Sequence, residues 1–283
     1  MRTLLAILAA AVVTGSLEAS RQAEGPAGAP PSLRFAVIGD NGTGERPQYE
    51  VGEQMASARG RFPFEFVIML GDNMYGRQRP ADFVDKFEQP YAPLLKAGVL
   101  FYAALGNHDD PTNRFYAGFN MGGERYYTFV RKHVRFFVFD TNMMDPAQLR
   151  WIGQTLARAR ESWKICYFHH PLYSSGGRHG SDIELRVALE PLMLEHGVHV
   201  AFSGHEHVYE RTHPQKGITY FVEGSSGKLR RGDITRTDLT AASFDEDRTF
   251  MLVGITGDEL SFQTISRAGR VVDSGVIHRR PPT

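Results

Sequence analysis

Five short polar segments of this sequence carry side chains of the kinds that bind metal ions. Each segment offers carboxylate, amide, phenol or imidazole groups, and each follows an apolar run of the chain. The segments are residues 39–42 (GDNG), 71–75 (GDNMY), 106–109 (GNHD), 169–171 (HHP) and 204–207 (GHEH). Oxygen and imidazole donors suit first-row metal ions, and the set contains no cysteine that would indicate a thiolate zinc site. The sequence therefore predicts a hydrolytic metal centre.

The spacing of the last segment indicates how two of its histidines are used. His205 and His207 are separated by Glu206. Residues two apart at the end of a strand point to the same side. We therefore expect both imidazoles to face one cleft and Glu206 to point away from it.

The apolar runs before these segments predict the strands of an α/β fold. The runs are continuous, which is typical of strands buried on both faces, and amphipathic stretches between them predict helices. The runs are residues 33–38, 64–70, 99–104, 134–139, 165–168, 198–202 and 218–222. The predicted helices are residues 47–59, 81–87, 146–160 and 183–196. Ligands bind at the carboxyl ends of strands in open α/β sheets, which is where the polar segments fall.

The end of the chain has a different pattern. After residue 250 apolar and polar residues alternate, with turns at residues 257–258 and 268–269, which predicts an antiparallel meander that closes a second sheet. We therefore predict an α/β sandwich of two stacked mixed β-sheets flanked by helices. A chain of 283 residues with 42% hydrophobic residues is consistent with one such domain, and we assign it to residues 33–283.

The N-terminal residues predict export of the protein. Residues 1–19 carry a basic Arg2, an apolar run and small residues that end at Ala19, as in a secretory signal peptide. This run is short for a membrane span, so we expect no stable membrane insertion after cleavage. Residues 20–32 are rich in Ala, Gly and Pro and predict a flexible spacer. The mature protein is expected to be secreted or periplasmic.

The overall charge limits the partners that the chain can attract. Lys plus Arg and Asp plus Glu each number 32, so no net field recruits nucleic acid or an anionic membrane. We expect no nucleic-acid partner, and any affinity for phosphate must be local. Nothing in the sequence indicates an oligomeric state.

The polar segments together resemble the five-block signature of the calcineurin-like metallophosphoesterases, from about residue 33 to residue 227. Two details resemble the purple acid phosphatases within that superfamily. Gly42 stands where the broader superfamily usually has a ligand histidine, and Tyr75 follows the second aspartate. The resemblance implies a metallophosphoesterase-type sandwich with a two-metal centre.

The resemblance also implies a role for each polar side chain. By position, it implies Fe(III) bound by Asp40, Tyr75 and His207, a divalent Fe, Zn or Mn ion bound by Asn107, His169 and His205, and a bridging Asp72. His170, which precedes Pro171, resembles a non-ligand. His108 and His179 match catalytic histidines that line the substrate pocket, and Asp109 is expected to orient His108.

Charge counting independently favours a phosphate substrate. A trivalent and a divalent ion, less the charges of two carboxylates and a phenolate, leave a surplus of about two positive charges. A phosphate monoester, either a small molecule or a phosphoprotein, complements that surplus. We therefore expect an exported acid phosphatase that hydrolyses monoesters by direct attack of a metal-bound hydroxide, with His108 or His179 donating protons and activity favoured below neutral pH.

Two alternatives remain at this point. A metallophosphodiesterase or nucleotidase of the same superfamily would use the same ions, but Tyr75 and the missing first-block histidine argue against it. A non-catalytic envelope protein that binds metal or phosphate would not need His108 and His179. Turnover of a chromogenic monoester distinguishes this last alternative from an enzyme.

Overall fold

A computed structural model describes residues 32–279 of the chain. The predicted signal peptide, residues 1–19, lies outside the described residues, as does the predicted spacer apart from its last residue. In chain order the strands are β1 (Leu33–Ile38), β2 (Phe66–Met69), β3 (Leu100–Ala103), β4 (Tyr127–Arg131), β5 (Val134–Val138), β6 (Trp163–Tyr167), β7 (Val200–Ser203), β8 (Tyr209–Thr212), β9 (Thr219–Glu223), β10 (Thr240–Phe244), β11 (Thr249–Thr256), β12 (Glu259–Ser266) and β13 (Val271–His278).

The helices lie between the strands of the first two-thirds of the chain. They are α1 (Arg46–Arg59), α2 (Pro80–Phe83), α3 (Ala92–Lys96), α4 (Pro146–Arg158) and α5 (Ile183–Glu195). A π-helical turn, Val84–Glu88, continues α2. The two long helices in the second half of the chain, α4 and α5, each begin at an aspartate cap. The Asp145 carboxylate accepts a hydrogen bond from the Gln148 amide, and the Asp182 carboxylate accepts one from the Leu185 amide.

The first sheet contains both the N-terminal strands and the C-terminal meander. Its order is β13-β12-β11-β1-β2-β3, with β1, β2 and β3 parallel and β11 antiparallel to β1. The meander was expected to close a second sheet, and that detail was wrong. Instead β11 pairs with β1 over a register that includes Phe35 and Val253, so the meander extends the first sheet.

The second sheet has the order β10-β8-β9-β7-β6-β5-β4. Its centre is parallel, from β5 through β6 and β7 to β9, and antiparallel strands close both sides. The two sheets stack through one apolar core that includes Phe35 and Phe66 of the first sheet and Phe136 and Phe202 of the second. The predicted fold class, two stacked mixed sheets with flanking helices, is confirmed.

Two further apolar clusters attach the helices to the outer faces of the sheets. Val51 and Met55 of α1 pack against the first sheet, and Ile152 of α4 and Leu189 of α5 pack against the second. Within residues 32–279, no helix is both long and apolar enough to cross a lipid bilayer. Because β1, β2, β3, β6 and β7 end at the same edge of the sandwich, the loops after them converge there.

Candidate metal centre

Three donor atoms from different loops form a first cluster. The Tyr75 hydroxyl donates to Asp40 Oδ1 at 3.0 Å and lies 3.2 Å from His207 Nε2. His207 Nε2 is in turn 3.3 Å from Asp40 Oδ1. Asp40 follows β1, Tyr75 follows β2 and His207 follows β7, so the cluster depends on both sheets.

A second cluster joins His169, His205 and Asn107. His169 Nε2 lies 3.0 Å from Asn107 Oδ1 and 3.2 Å from His205 Nδ1. His169 Nδ1 is 2.9 Å from the Leu70 carbonyl oxygen, and a carbonyl can only accept. Nδ1 therefore donates, and Nε2 presents its lone pair to the cluster.

Asp72 lies between the two clusters. Its Oδ1 is 3.4 Å from His169 Nε2, and the carboxylates of Asp40 and Asp72 have oxygens within 4.8 Å of each other and of a His207 ring nitrogen. The backbone amide of His108 donates to Asp72 Oδ1 at 2.8 Å, which fixes the orientation of the carboxylate. This one side chain thus touches both groups of donors.

The spacing of these atoms fits metal binding. Donors that share one first-row ion at about 2.1 Å and at right angles lie about 3.0 Å apart, and the contacts within the clusters are 3.0 to 3.3 Å. Asp40, Asp72 and His169 are buried. Two bound cations would stabilise buried carboxylates and imidazoles that lie this close together.

The pKa directions of the clustered groups agree with that reading. Burial raises the pKa of Asp40 well above its ordinary value, and the neighbouring Asp72 carboxylate raises it further. Burial lowers the pKa of His205 to about 2 and that of His207 to about 4. The imidazoles are therefore neutral near pH 7, as metal ligands must be.

The backbone at the centre departs from regular structure. Asp40, Asp72 and His205 have φ angles of 52°, 52° and 71°, in the left-handed region that few residues other than Gly adopt and that is enriched at functional sites. We expected the alternation of side chains along a strand to turn His205 and His207 toward one cleft. That explanation was wrong, because the segment that carries them is not a strand. Residues 205–208 form a bend, His205 lies in the left-handed region, and the rings of His205 and His207 both reach the donor clusters, while Glu206 points away as expected.

The two predicted pocket histidines lie at different parts of the centre. The ring of His108 is 4.8 Å, centre to centre, from the ring of Tyr75. The ring of His179 is 4.2 Å from the ring of His205. Both histidines are solvent-exposed, so each can meet a ligand that approaches the cleft.

Asp109 does not have the expected position beside the His108 ring. Its carboxylate is buried and accepts from the backbone amides of Gly106, Asn73 and Met74 at 2.9 to 3.1 Å. Burial raises its pKa to about 7. We expected Asp109 to orient His108. Instead, its carboxylate holds the loop after β2 against the loop after β3 through these hydrogen bonds.

Two further residues lie near the centre: His170, which the resemblance placed outside the ligand set although its ring nitrogen lies within 4.8 Å of those of His169 and His205, and Lys228, to which the sequence assigned no role. His170 has its ring 4.5 Å from that of His205, and its Nδ1 lies 2.8 Å from the Thr141 hydroxyl. The Lys228 ammonium lies 4.9 Å from the centre of the Tyr75 ring. Lys228 follows β9 only after residues 224–227, so it lies outside the polar segments that directly follow apolar runs.

Comparison with known proteins gives a consistent result. Residues 33–209 match the family described as calcineurin-like phosphoesterase. Purple acid phosphatase 17 of Arabidopsis thaliana is 28% identical over 268 residues, which cover 82% of this chain and 79% of the relative. Human (Homo sapiens) tartrate-resistant acid phosphatase type 5 is 27% identical over 241 residues, which cover 70% of this chain and 74% of the relative.

The fold is similar to that of a solved plant enzyme. A purple acid phosphatase from yellow lupin (Lupinus luteus) seeds superposes with a TM-score of 0.74 at 21% identity. The superposition covers 88% of this chain and 54% of the lupin chain. At this identity the likeness concerns the fold, and chemistry has to be argued from the site.

Proposed function

The chain belongs to the calcineurin-like phosphoesterase family, and from that premise we propose that it is a dinuclear-metal acid phosphatase of the purple acid phosphatase type. The observation that supports this proposal best is the pair of donor clusters with Asp72 between them. Asp40, Tyr75 and His207 would hold Fe(III), and Asn107, His169 and His205 would hold a divalent Fe, Zn or Mn ion. Such a pair of ions supplies Lewis-acid activation of water and offsets charge on phosphate oxygens.

The chain's own residues would bind and orient the ester. The exposed imidazoles of His108 and His179 stand against different clusters, so they can donate to different oxygens of one phosphate group. Protonated imidazoles donate more strongly than neutral ones, and burial lowers the pKa of His179, so donation by His179 is favoured at acid pH and we expect activity to be favoured below neutral pH. The Lys228 ammonium adds a positive charge beside Tyr75.

A cavity beside the centre would accept the alcohol part of the substrate. Its volume is about 570 Å³, and its lining includes Asn107, Arg125, Met143 and His170. This space suits the alcohol of a small-molecule phosphate monoester or a phosphorylated side chain of a protein.

The proposal is tested by comparing p-nitrophenyl phosphate with bis-p-nitrophenyl phosphate as substrates of one purified, metal-analysed sample. We expect preferential hydrolysis of the monoester, with a maximum rate below pH 7. Preference for the diester would replace the proposal with a metallophosphodiesterase. Bound metal without turnover of either ester would replace it with a binding protein.

We further propose that the protein is exported. The pattern of residues 1–19, a basic residue followed by an apolar run and small residues, supports this proposal. Expression with and without residues 1–19 tests it, because only the longer chain should reach the medium or the periplasm with a shortened N-terminus. Retention of the longer chain at full length in the cytoplasm would contradict it.

A further inference from the structure

The side chain of Glu206 makes contacts that metal binding does not explain. The residue lies between His205 and His207 but points away from the cleft, and it is fully buried. Its Oε1 accepts from the backbone amides of His179 and Gly180, both at 2.6 Å. A buried carboxylate that accepts two amide hydrogens forms a strong and directional contact.

The loop that carries His179 is built around this carboxylate. Residues 174–181 contain no helix and no extended strand. A Cβ atom on Gly176 would lie 2.6 Å from Glu206 Cδ, so the backbone at residue 176 approaches the carboxylate as closely as a glycine allows. The outer edge of the loop is held separately, because the Gly177 amide donates to the Asp233 carbonyl at 2.8 Å.

The other carboxylate oxygen faces a cation. Arg230 Nη1 lies 3.5 Å from Glu206 Oε2, and the Arg230 amide donates to the His207 carbonyl at 2.9 Å. Arg230 offsets part of the charge of Glu206 without a hydrogen bond to it, and it is itself attached to the segment that carries both histidines. The carboxylate, its cation and the His179 backbone form one connected unit beneath the cleft.

We propose that Glu206 is a positioning residue that holds the backbone of His179, so that the His179 imidazole stays against His205 and reaches the substrate. The part of the inference that concerns catalysis rests on the proposed function. Two amides at residues 179 and 180 fix the point where the His179 side chain begins, and the ring contact of 4.2 Å with His205 follows from it. Without the carboxylate, residues 174–177 keep their attachments to Glu210, Thr237 and Asp233, but the amides of residues 179 and 180 lose their acceptor.

A double-mutant cycle separates this role from general support of the fold. We expect Glu206→Ala and His179→Ala each to lower kcat/KM for a monoester on the order of 100-fold, as for loss of a proton donor. The double variant should be no worse than His179→Ala alone, because both changes remove the same contribution. Glu206→Gln keeps an oxygen that can accept from both amides and should stay within about threefold of the unmodified protein.

Metal content is measured for every variant in the cycle. The proposal requires Glu206→Ala to retain the metal content of the unmodified protein. Loss of metal in proportion to activity would overturn it, because Glu206 would then support His205 and His207 as ligands. Additive losses in the double variant would overturn it as well.

Hydrogen exchange tests the same inference without reference to catalysis. The amides of His179 and Gly180 should exchange at least about tenfold faster in Glu206→Ala than in the unmodified protein. Unchanged exchange would overturn the positioning role even if activity falls. If the protein has no phosphatase activity, this measurement still decides the structural part of the inference.

A second variant acts on the contact from the loop side and leaves the ligand segment intact. Gly176→Ala places a methyl group against Glu206, so it should speed exchange at residues 179–180 and lower kcat/KM as His179→Ala does. Gly153→Ala is the matched control, because its Cβ would meet only Leu192 at an ordinary 3.6 Å. If Gly176→Ala and Gly153→Ala behave alike in both measurements, the proposal is wrong.

Discussion

Gly42 and Tyr75 show how the type of one residue can decide the ligands of the centre. A Cβ atom on Gly42 would lie 1.8 Å from the Asn73 carbonyl oxygen, so no larger residue fits there with this backbone. Tyr75 instead brings its hydroxyl to Asp40. Burial and then the carboxylates of Asp40 and Asp72 raise the pKa of Tyr75, and a bound cation would act in the opposite direction.

Replacement of Tyr75 tests this assignment at the level of one oxygen atom. Tyr75→Phe should lose the visible absorption of a tyrosinate bound to Fe(III), because the phenol oxygen is the only atom removed. The absorption spectrum of the metal-loaded protein is the measurement. Tyr126→Phe is the control, because the Tyr126 ring packs on Trp151 and its hydroxyl is not one of the donors of either cluster. An unchanged visible band in Tyr75→Phe would exclude Tyr75 as the iron ligand.

At the scale of elements, the loops after the strands depend on buried carboxylates. The Asp109 carboxylate accepts hydrogen bonds from three backbone amides. These bonds connect the loop that carries Asp72 and Tyr75 to the loop that carries Asn107. These amides lie beyond the ends of β2 and β3. The carboxylate therefore takes the place of the backbone pairing that a sheet would supply.

We expect Asp109→Ala to lower the free energy of unfolding by about 3 kcal/mol or more, because it leaves buried amides without acceptors. Urea denaturation measures the change. Asp110→Ala is the neighbouring control, since among the described residues the exposed Asp110 carboxylate accepts hydrogen bonds from Thr112 within its own turn. This substitution should cost about 1 kcal/mol. If the two variants lose the same free energy of unfolding, the hydrogen bonds of Asp109 do not contribute the expected extra stability.

Elements with continuous apolar sequence could be predicted, and those held by polar pairing could not. Residues 33–38 match β1 because five of its six side chains are buried. By contrast, β8 carries Glu210 and Arg211, which are paired with the Ser175 amide and with Asp273. The sequence does not reveal those long-range partners, so β8 looks like a loop. Strands β4 and β10 are half-buried throughout and give no alternating pattern.

The same distinction applies to the candidate site. The positions of its donors after strands could be predicted, because each follows an apolar run. The use of Asp109 could not, because its three amide partners lie on two loops whose approach depends on the complete sheet. The left-handed bend at His205 was also out of reach, since nothing in the GHEH letters requires it.

At the scale of the whole molecule, Glu223 links the two sheets. It ends β9 of the second sheet, and its Oε1 accepts from the hydroxyl of Thr249, the first residue of β11, at 2.7 Å. Its other oxygen is buried without a hydrogen-bond partner among the described residues. Burial raises the pKa of Glu223 from 4.5 to about 8, so the folded protein keeps this group protonated near neutral pH.

This pKa makes stability depend on pH with a defined sign. Between pH 4.5 and about 8 the unfolded chain loses the proton while the folded chain keeps it, so stability falls as pH rises. Glu223→Gln removes this dependence. Its free energy of unfolding relative to the unmodified protein should rise by about 1.4 kcal/mol per pH unit in that window and level off above it. Denaturation at pH 5, 6, 7 and 8 measures the trend, and a constant difference would contradict it.

The central claim is that seven side chains on five loops form one centre for two metal ions. The most direct test is the number of ions bound per chain, measured by elemental mass spectrometry on protein reconstituted with iron and zinc, beside Asp72→Ala treated in the same way. We expect two ions per unmodified chain and fewer than two in the variant, because Asp72 lies between the two clusters. One ion per unmodified chain, or two in Asp72→Ala, would contradict it.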